Sequence, residues 1–95
     1  MIFEWHTEKA QSNLAKHGVS FELACRVWDD PLHDIRSDRV ENGEERWIAV
    51  GLVGSTLVLV VAHAYPDESD EQRVRLISAR KATPHERRRY EQQAL

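Results

Sequence analysis

The sequence predicts a small α+β domain, in which two N-terminal helices and a C-terminal helix pack on an antiparallel β-sheet. Three observations carry that prediction. Apolar residues recur at helical spacing between Ala10 and Trp28, Gly54-Ser55 interrupts a charge-free, β-rich run from Trp47 to Ala64, and Thr83-Pro84-His85-Glu86 marks a helix start. At 95 residues, 41% hydrophobic and 31% charged, the chain is expected to form one domain spanning residues 1–95.

The elements follow in order. Ile2 to Trp5 alternates briefly, as a short strand would. Thr7 opens a helix by offering its hydroxyl to free first-turn amides, and Glu8 favours the positive helix end. Ala10 and Leu14 recur on its apolar face, and Gly18 stops it. Ser20 caps a second helix whose Phe21, Ala24, Cys25 and Trp28 make a core stripe, until Asp30-Pro31 ends the run. His33 to Val40 carries a weak strand pattern before a turn at Asn42-Gly43.

The hairpin register can be counted. A two-residue Gly54-Ser55 connection sets Val53 against Thr56, and so pairs Leu52 with Leu57, Val50 with Leu59, Ile48 with Val61 and Arg46 with His63. These pairs would share one face, while Trp47, Ala49, Val58, Val60 and Ala62 take the other. Both faces are apolar, so the strands should be central and covered on both sides. An acidic, solvated loop from Tyr65 to Gln72 leads to a third strand, Arg73 to Ala79. The last helix then starts at Thr83, with Pro84 in its first turn and Glu86 completing the cap.

Charge is divided along the chain. Residues 1–72 hold six Lys/Arg against fourteen Asp/Glu, whereas residues 73–95 hold seven against two, which together give the net −3. The basic block Arg73 to Tyr90 suggests a site for phosphate, with Arg80 and Lys81 close to a helix N-terminus. Plainer readings stand beside it: a solvated face for Arg88 and Arg89, edge protection for Arg73 and Arg75, and a hydrogen-bonded core histidine for His63. No His/Cys/carboxylate set has ligand spacing, so neither a metal nor a cofactor is expected. A single cysteine, Cys25, excludes an intrachain disulfide and suits a reducing compartment. Without a secretory leader or an uninterrupted apolar span, the expected location is the cytoplasm, with no membrane contact.

Three blocks then carry a resemblance across nearly the whole chain: IFEWHTEKAQSNLAKHGVSFELA, RWIAVG and VRLISARKATPHERRRYE. In that order and spacing they resemble the BrnT (DUF497) family of bacterial type II toxins. The resemblance implies a RelE-like fold and a toxin that cleaves RNA and stops translation. It also implies a BrnA-type antitoxin, expected in a heterotetramer of two toxins and two antitoxins, with operator DNA bound only through the antitoxin. One departure is His6, which stands where family members commonly carry an acidic residue.

Metal-independent RNA cleavage lets the 2′-hydroxyl attack its neighbouring phosphate, which demands proton transfer and cations for the growing phosphorane charge. Arg46, Arg75 and Arg80 are the candidates for phosphate positioning and transition-state stabilisation, because arginine stays protonated. His63 is the candidate acid or base. Lys81 and Arg87 are auxiliary substrate contacts, and Tyr90 a base-stacking or proton-donating one, although helix packing explains Tyr90 equally well. Glu86 is explained by its cap. The rival reading is a non-catalytic module that binds nucleic acid or a partner protein through the same arginines.

Overall fold

The computed structural model describes residues 1–93. Strand β1 (Ile2–Glu4) leads into helix α1 (Thr7–His17), the short α2 (Phe21–Ala24) and a 3-10 turn over Cys25–Asp29. Strands β2 (Asp34–Glu41), β3 (Glu44–Val53), β4 (Leu57–Ala64) and β5 (Arg73–Lys81) follow, then helix α3 (Pro84–Gln93). The five strands form one sheet in the order β1-β5-β4-β3-β2. The expected antiparallel sheet is in fact mixed, because β1 runs parallel to β5, with Phe3 opposite Val74. The intervening chain crosses over the sheet as α1 and α2, which a parallel pairing requires.

Local signals behave as their chemistry dictates. Gly18 ends α1 at φ 69°, with its N–H donating to the Leu14 carbonyl. The Ser20 hydroxyl accepts from Leu23 N at 3.1 Å and caps α2. Thr83 and Glu86 form the reciprocal cap of α3, Thr83 N donating to Glu86 Oε1 at 2.8 Å and Glu86 N to Thr83 Oγ1 at 3.2 Å. Asn42 and Gly43 both take positive φ, as a two-residue hairpin turn between β2 and β3 needs.

Two features of α1 differ from expectation. Its N-cap is His6, without a side-chain cap, so Thr7 is the first helical residue instead. Leu14 is half exposed, and the buried position is Asn13. The Asn13 amide donates to the Val19 and Ala79 carbonyls at 2.9 Å each and accepts from Ala79 N at 3.0 Å, which ties α1 to β5. The second helix also tightens into the 3-10 turn at Cys25, which moves the fully buried position to Val27 and leaves Cys25 and Trp28 half buried.

The β3–β4 register shifts by one residue from that counted in the sequence. Val53 pairs with Leu57, Ala49 with Val61 and Trp47 with His63, because the connection is Gly54-Ser55-Thr56, three residues long. A slip of one residue exchanges the faces of a whole strand. One face now carries Ala49, Val53, Leu59, Val61, Leu76 and Ala79, packed against Val19, Phe21, Ala24 and Val27 as the main core. Gly51 lies on this face because a side chain there would stand 2.8 Å from Val27 Cγ1 and 3.1 Å from its carbonyl oxygen. The opposite face lies under α3.

Candidate functional site: an arginine-bearing sheet face

Strand pairing places the candidate arginines. Directly opposed residues share a face, so one row across the sheet runs Arg80, Val60, Val50 and Asp34, and the next runs Ser78, Ala62, Ile48 and Arg36. A third level carries Arg75 beside Ala64, and Arg46 beside Arg39. Arg46, Arg75 and Arg80 therefore project from one face, joined there by Arg36 and Arg39, with Ala62, Ser78 and Ile48 as a low floor between them. Arg75 and Arg80 pair with residues four apart on β4, a separation of about 13 Å along the strand.

Each of the three candidate arginines is held by a carboxylate. Arg80 makes a fork to Glu86, Nη1 to Oε1 at 2.7 Å and Nη2 to Oε2 at 2.9 Å. That fork holds the Glu86 carboxyl down to about 2, opposed by partial burial and aided by the Thr83 amide, while the Arg80 pKa is raised. Glu86 is thus both a cap and an arginine clamp. Arg75 Nη2 donates to both Glu44 oxygens at 2.5 Å. Arg46 Nη1 donates to Glu41 at 2.9 Å, and its Nε, 3.8 Å from Glu44, is buried without a hydrogen-bond partner. Glu44 therefore sits between two arginines.

The basic block is consequently less basic in space than in sequence. Arg73 pairs with Glu4 and Arg87 with Glu91, so acidic residues from β1, from β3 and from α3 itself meet the arginines of β5 and α3. Among the described residues Arg88, Arg89 and Lys81 have no carboxylate within 4.0 Å, and His85, Arg88 and Arg89 line the outer side of α3. Within the basic block, Arg88, Arg89 and Lys81 are thus the cations that no described carboxylate offsets at that distance.

The remaining candidates are placed elsewhere. His63 was expected beside Arg46, but the register puts it on the opposite face, fully buried. Its ring meets Trp28 edge-on at 5.0 Å and Tyr65 at 5.3 Å. Nδ1 lies 3.3 Å from the Val61 carbonyl and Nε2 3.2 Å from the Tyr65 hydroxyl, partners that suit a neutral ring donating to the first and accepting from the second. Burial drives its pKa down to about 4, against the smaller opposing effect of the Val61 carbonyl. His63 thus has no access to a substrate on the arginine face.

Tyr90 is a packing residue. Its ring is buried and its hydroxyl donates to Asp30 Oδ2, the oxygen that also accepts from Leu52 N at 2.8 Å. Burial and the Asp30 charge push the phenol up to about 12. Burial works against the Asp30 charge, but donors from Leu52, Tyr90 and Leu32 outweigh it and keep that carboxyl below its usual value. Arg87 is occupied as well, since Nη1 donates to the Thr56 carbonyl and Nε to Glu91 at 2.9 Å. Lys81 pairs with Leu59, on the core-facing side of the alternation, and is exposed at the strand end.

Sequence reasoning missed Glu41, Glu44, Arg36 and Arg39. Their signal lies in strand pairing across the β2–β3 turn, which a weak strand pattern did not fix. No group of His, Cys, Asp and Glu among the described residues is placed to hold a metal ion, and no helix is long and apolar enough to cross a membrane.

The chain is a small α+β domain with a five-stranded mixed sheet, one face of which carries carboxylate-clamped arginines. Residues 5–86 match the family described as "Ribonuclease toxin, BrnT, of type II toxin-antitoxin system", and the chain belongs to that family. Its fold is similar to that in the 1.1 Å crystal structure of the Brucella abortus ribonuclease toxin, BrnT. The two align with a TM-score of 0.61 at 24% identity, covering 87% of this chain and 99% of that one. No curated protein sequence gives a significant match.

Proposed function

We propose that this chain is a metal-independent, RelE-like endoribonuclease that cuts RNA by 2′-hydroxyl attack, stops translation, and is neutralised in the cytoplasm by a BrnA-type antitoxin in a two-plus-two assembly. The observation that carries the catalytic reading is the gathering of Arg46, Arg75 and Arg80 on one sheet face over a floor of small side chains. A phosphodiester arriving there competes with Glu41, Glu44 and Glu86 for the guanidiniums. Planar forks that bind carboxylates bind phosphates in the same way. The arginines then stabilise charge that grows on the phosphorane oxygens.

With His63 behind the sheet, carboxylates are the proton acceptors this face offers. Glu44 fits better than Glu86, because its partner Arg75 can turn to the phosphate, while Glu86 is pinned by Arg80 and its own cap. In the proposed step Glu44 takes the 2′-hydroxyl proton, the 2′-oxygen bonds to phosphorus, and the 5′-oxygen leaves with a proton from solvent. The products are a 2′,3′-cyclic phosphate and a 5′-hydroxyl.

The test is cleavage of single-stranded RNA by purified protein in excess chelator, with product ends identified chemically. Cyclic-phosphate ends that persist in chelator and disappear in Arg75→Ala are expected. Binding without any cut would instead establish the non-catalytic module.

A further inference from the structure

A groove of about 170 Å³ lies where α3 crosses the arginine face, floored by Ile48 and Val50. Nothing assigned so far uses it. We infer that this groove is a nucleobase subsite, which holds the base of an RNA residue beside the phosphate on the arginine face. The inference rests on the reading of that face as RNA-binding.

Size, lining and continuity support it. A drug-sized ligand needs roughly 300–1,000 Å³, so this groove admits one flat fragment and not a whole nucleotide. Its apolar floor suits the face of a base. Arg89 of α3 supplies a flat group at its wall beside the buried ring of Tyr90, and Gln93 supplies donors and acceptors for a base edge. Glu86 borders the groove while it clamps Arg80, and Ile48 belongs both to the groove and to the floor between the arginines. An RNA strand whose phosphates engage Arg75 and Arg80 on β5 therefore passes within about two strand spacings, roughly 10 Å, of the groove floor on β3. On its border Arg36 is paired with Asp34 and Glu86 with Arg80, so among the described residues Arg89 is the lining cation left to meet a phosphate of the strand.

The subsite is tested apart from cleavage with 2′-O-methyl RNA decamers of oligo-A, oligo-U and oligo-C, which cannot be cut, titrated into the purified protein by fluorescence anisotropy. The wild type is expected to discriminate among them by about tenfold, as befits one stacked and edge-read base. Val50→Phe, which fills the groove from its floor, and Gln93→Ala, which removes an edge contact, should each bring the ratio below about twofold. Equal affinities in the wild type, or discrimination unchanged in both variants, would overturn the subsite. So would a result in which both variants keep base discrimination and lose only capture of the antitoxin, since the groove would then hold a protein side chain. Failure of the RNA-cleaving reading shows separately, as absent cyclic-phosphate ends on unmodified RNA.

Discussion

Removing the His63 imidazole should flatten the acid dependence of stability. The ring titrates near 4 in the fold against an ordinary 6.5, because burial under Trp28 and Tyr65 disfavours its charged form. Between those values the unfolded chain holds a proton that the native chain lacks, so stability rises with pH through this window. The histidine's contribution is complete above 6.5 and is lost as the pH falls towards 4. A gap of about 2.5 pH units, at 1.36 kcal/mol each, amounts to roughly 3 kcal/mol between pH 7 and pH 4. His63→Gln keeps a polar group of similar reach beside Val61 and Tyr65 but does not titrate. Urea unfolding of both proteins at several pH values isolates the effect, because carboxylate titrations are common to the two and cancel in the difference. Wild type should lose roughly 3 kcal/mol more than the variant over that range. Equal losses would refute the argument that His63 is a buried neutral residue.

Other perturbations follow from single contacts. Asn13→Ala removes three hydrogen bonds and strands the Ala79 amide and carbonyl, at a cost of about 3 kcal/mol in denaturant unfolding, whereas a mere surface helix position would cost almost nothing. Gly51→Ala drives a methyl group to 2.8 Å from Val27 Cγ1, and calorimetry should show a loss of about 1–3 kcal/mol. Tyr90→Phe leaves Asp30 with one donor fewer on Oδ2, and the expected cost is about 1.5–3 kcal/mol, with faster amide exchange in α3 as its local signature.

What was legible in the sequence was mostly local. The caps at Ser20 and Thr83 and the stop at Gly18 bind partners three or four residues away, so their chemistry shows in a short window. Hairpin strands were equally visible, yet their pairing hinged on whether Thr56 belongs to the turn. One residue of connection length moved His63 from beside Arg46 to the main core. Asn13 looked like an ordinary polar helix residue because its partner Ala79 lies 66 residues away. The parallel pairing of β1 was hidden for the same reason, since three residues give no hint of their neighbour. Arg46, Arg75 and Arg80 were identified as candidates from their residue type and position, and the sheet sets them on a common face. Their carboxylate partners could not be read, since Glu44 and Arg75 are joined only by folding.

Whether the arginine face cuts RNA is tested most directly by single-turnover cleavage with Arg46→Ala, Arg75→Ala and Arg80→Ala. Each protein is compared with wild type at equal folded concentration, in chelator, on the same single-stranded RNA. Loss of one donor from a phosphate-stabilising site predicts a fall of about 10²–10³ in the cleavage rate for each substitution. Wild-type rates in all three variants would contradict the account.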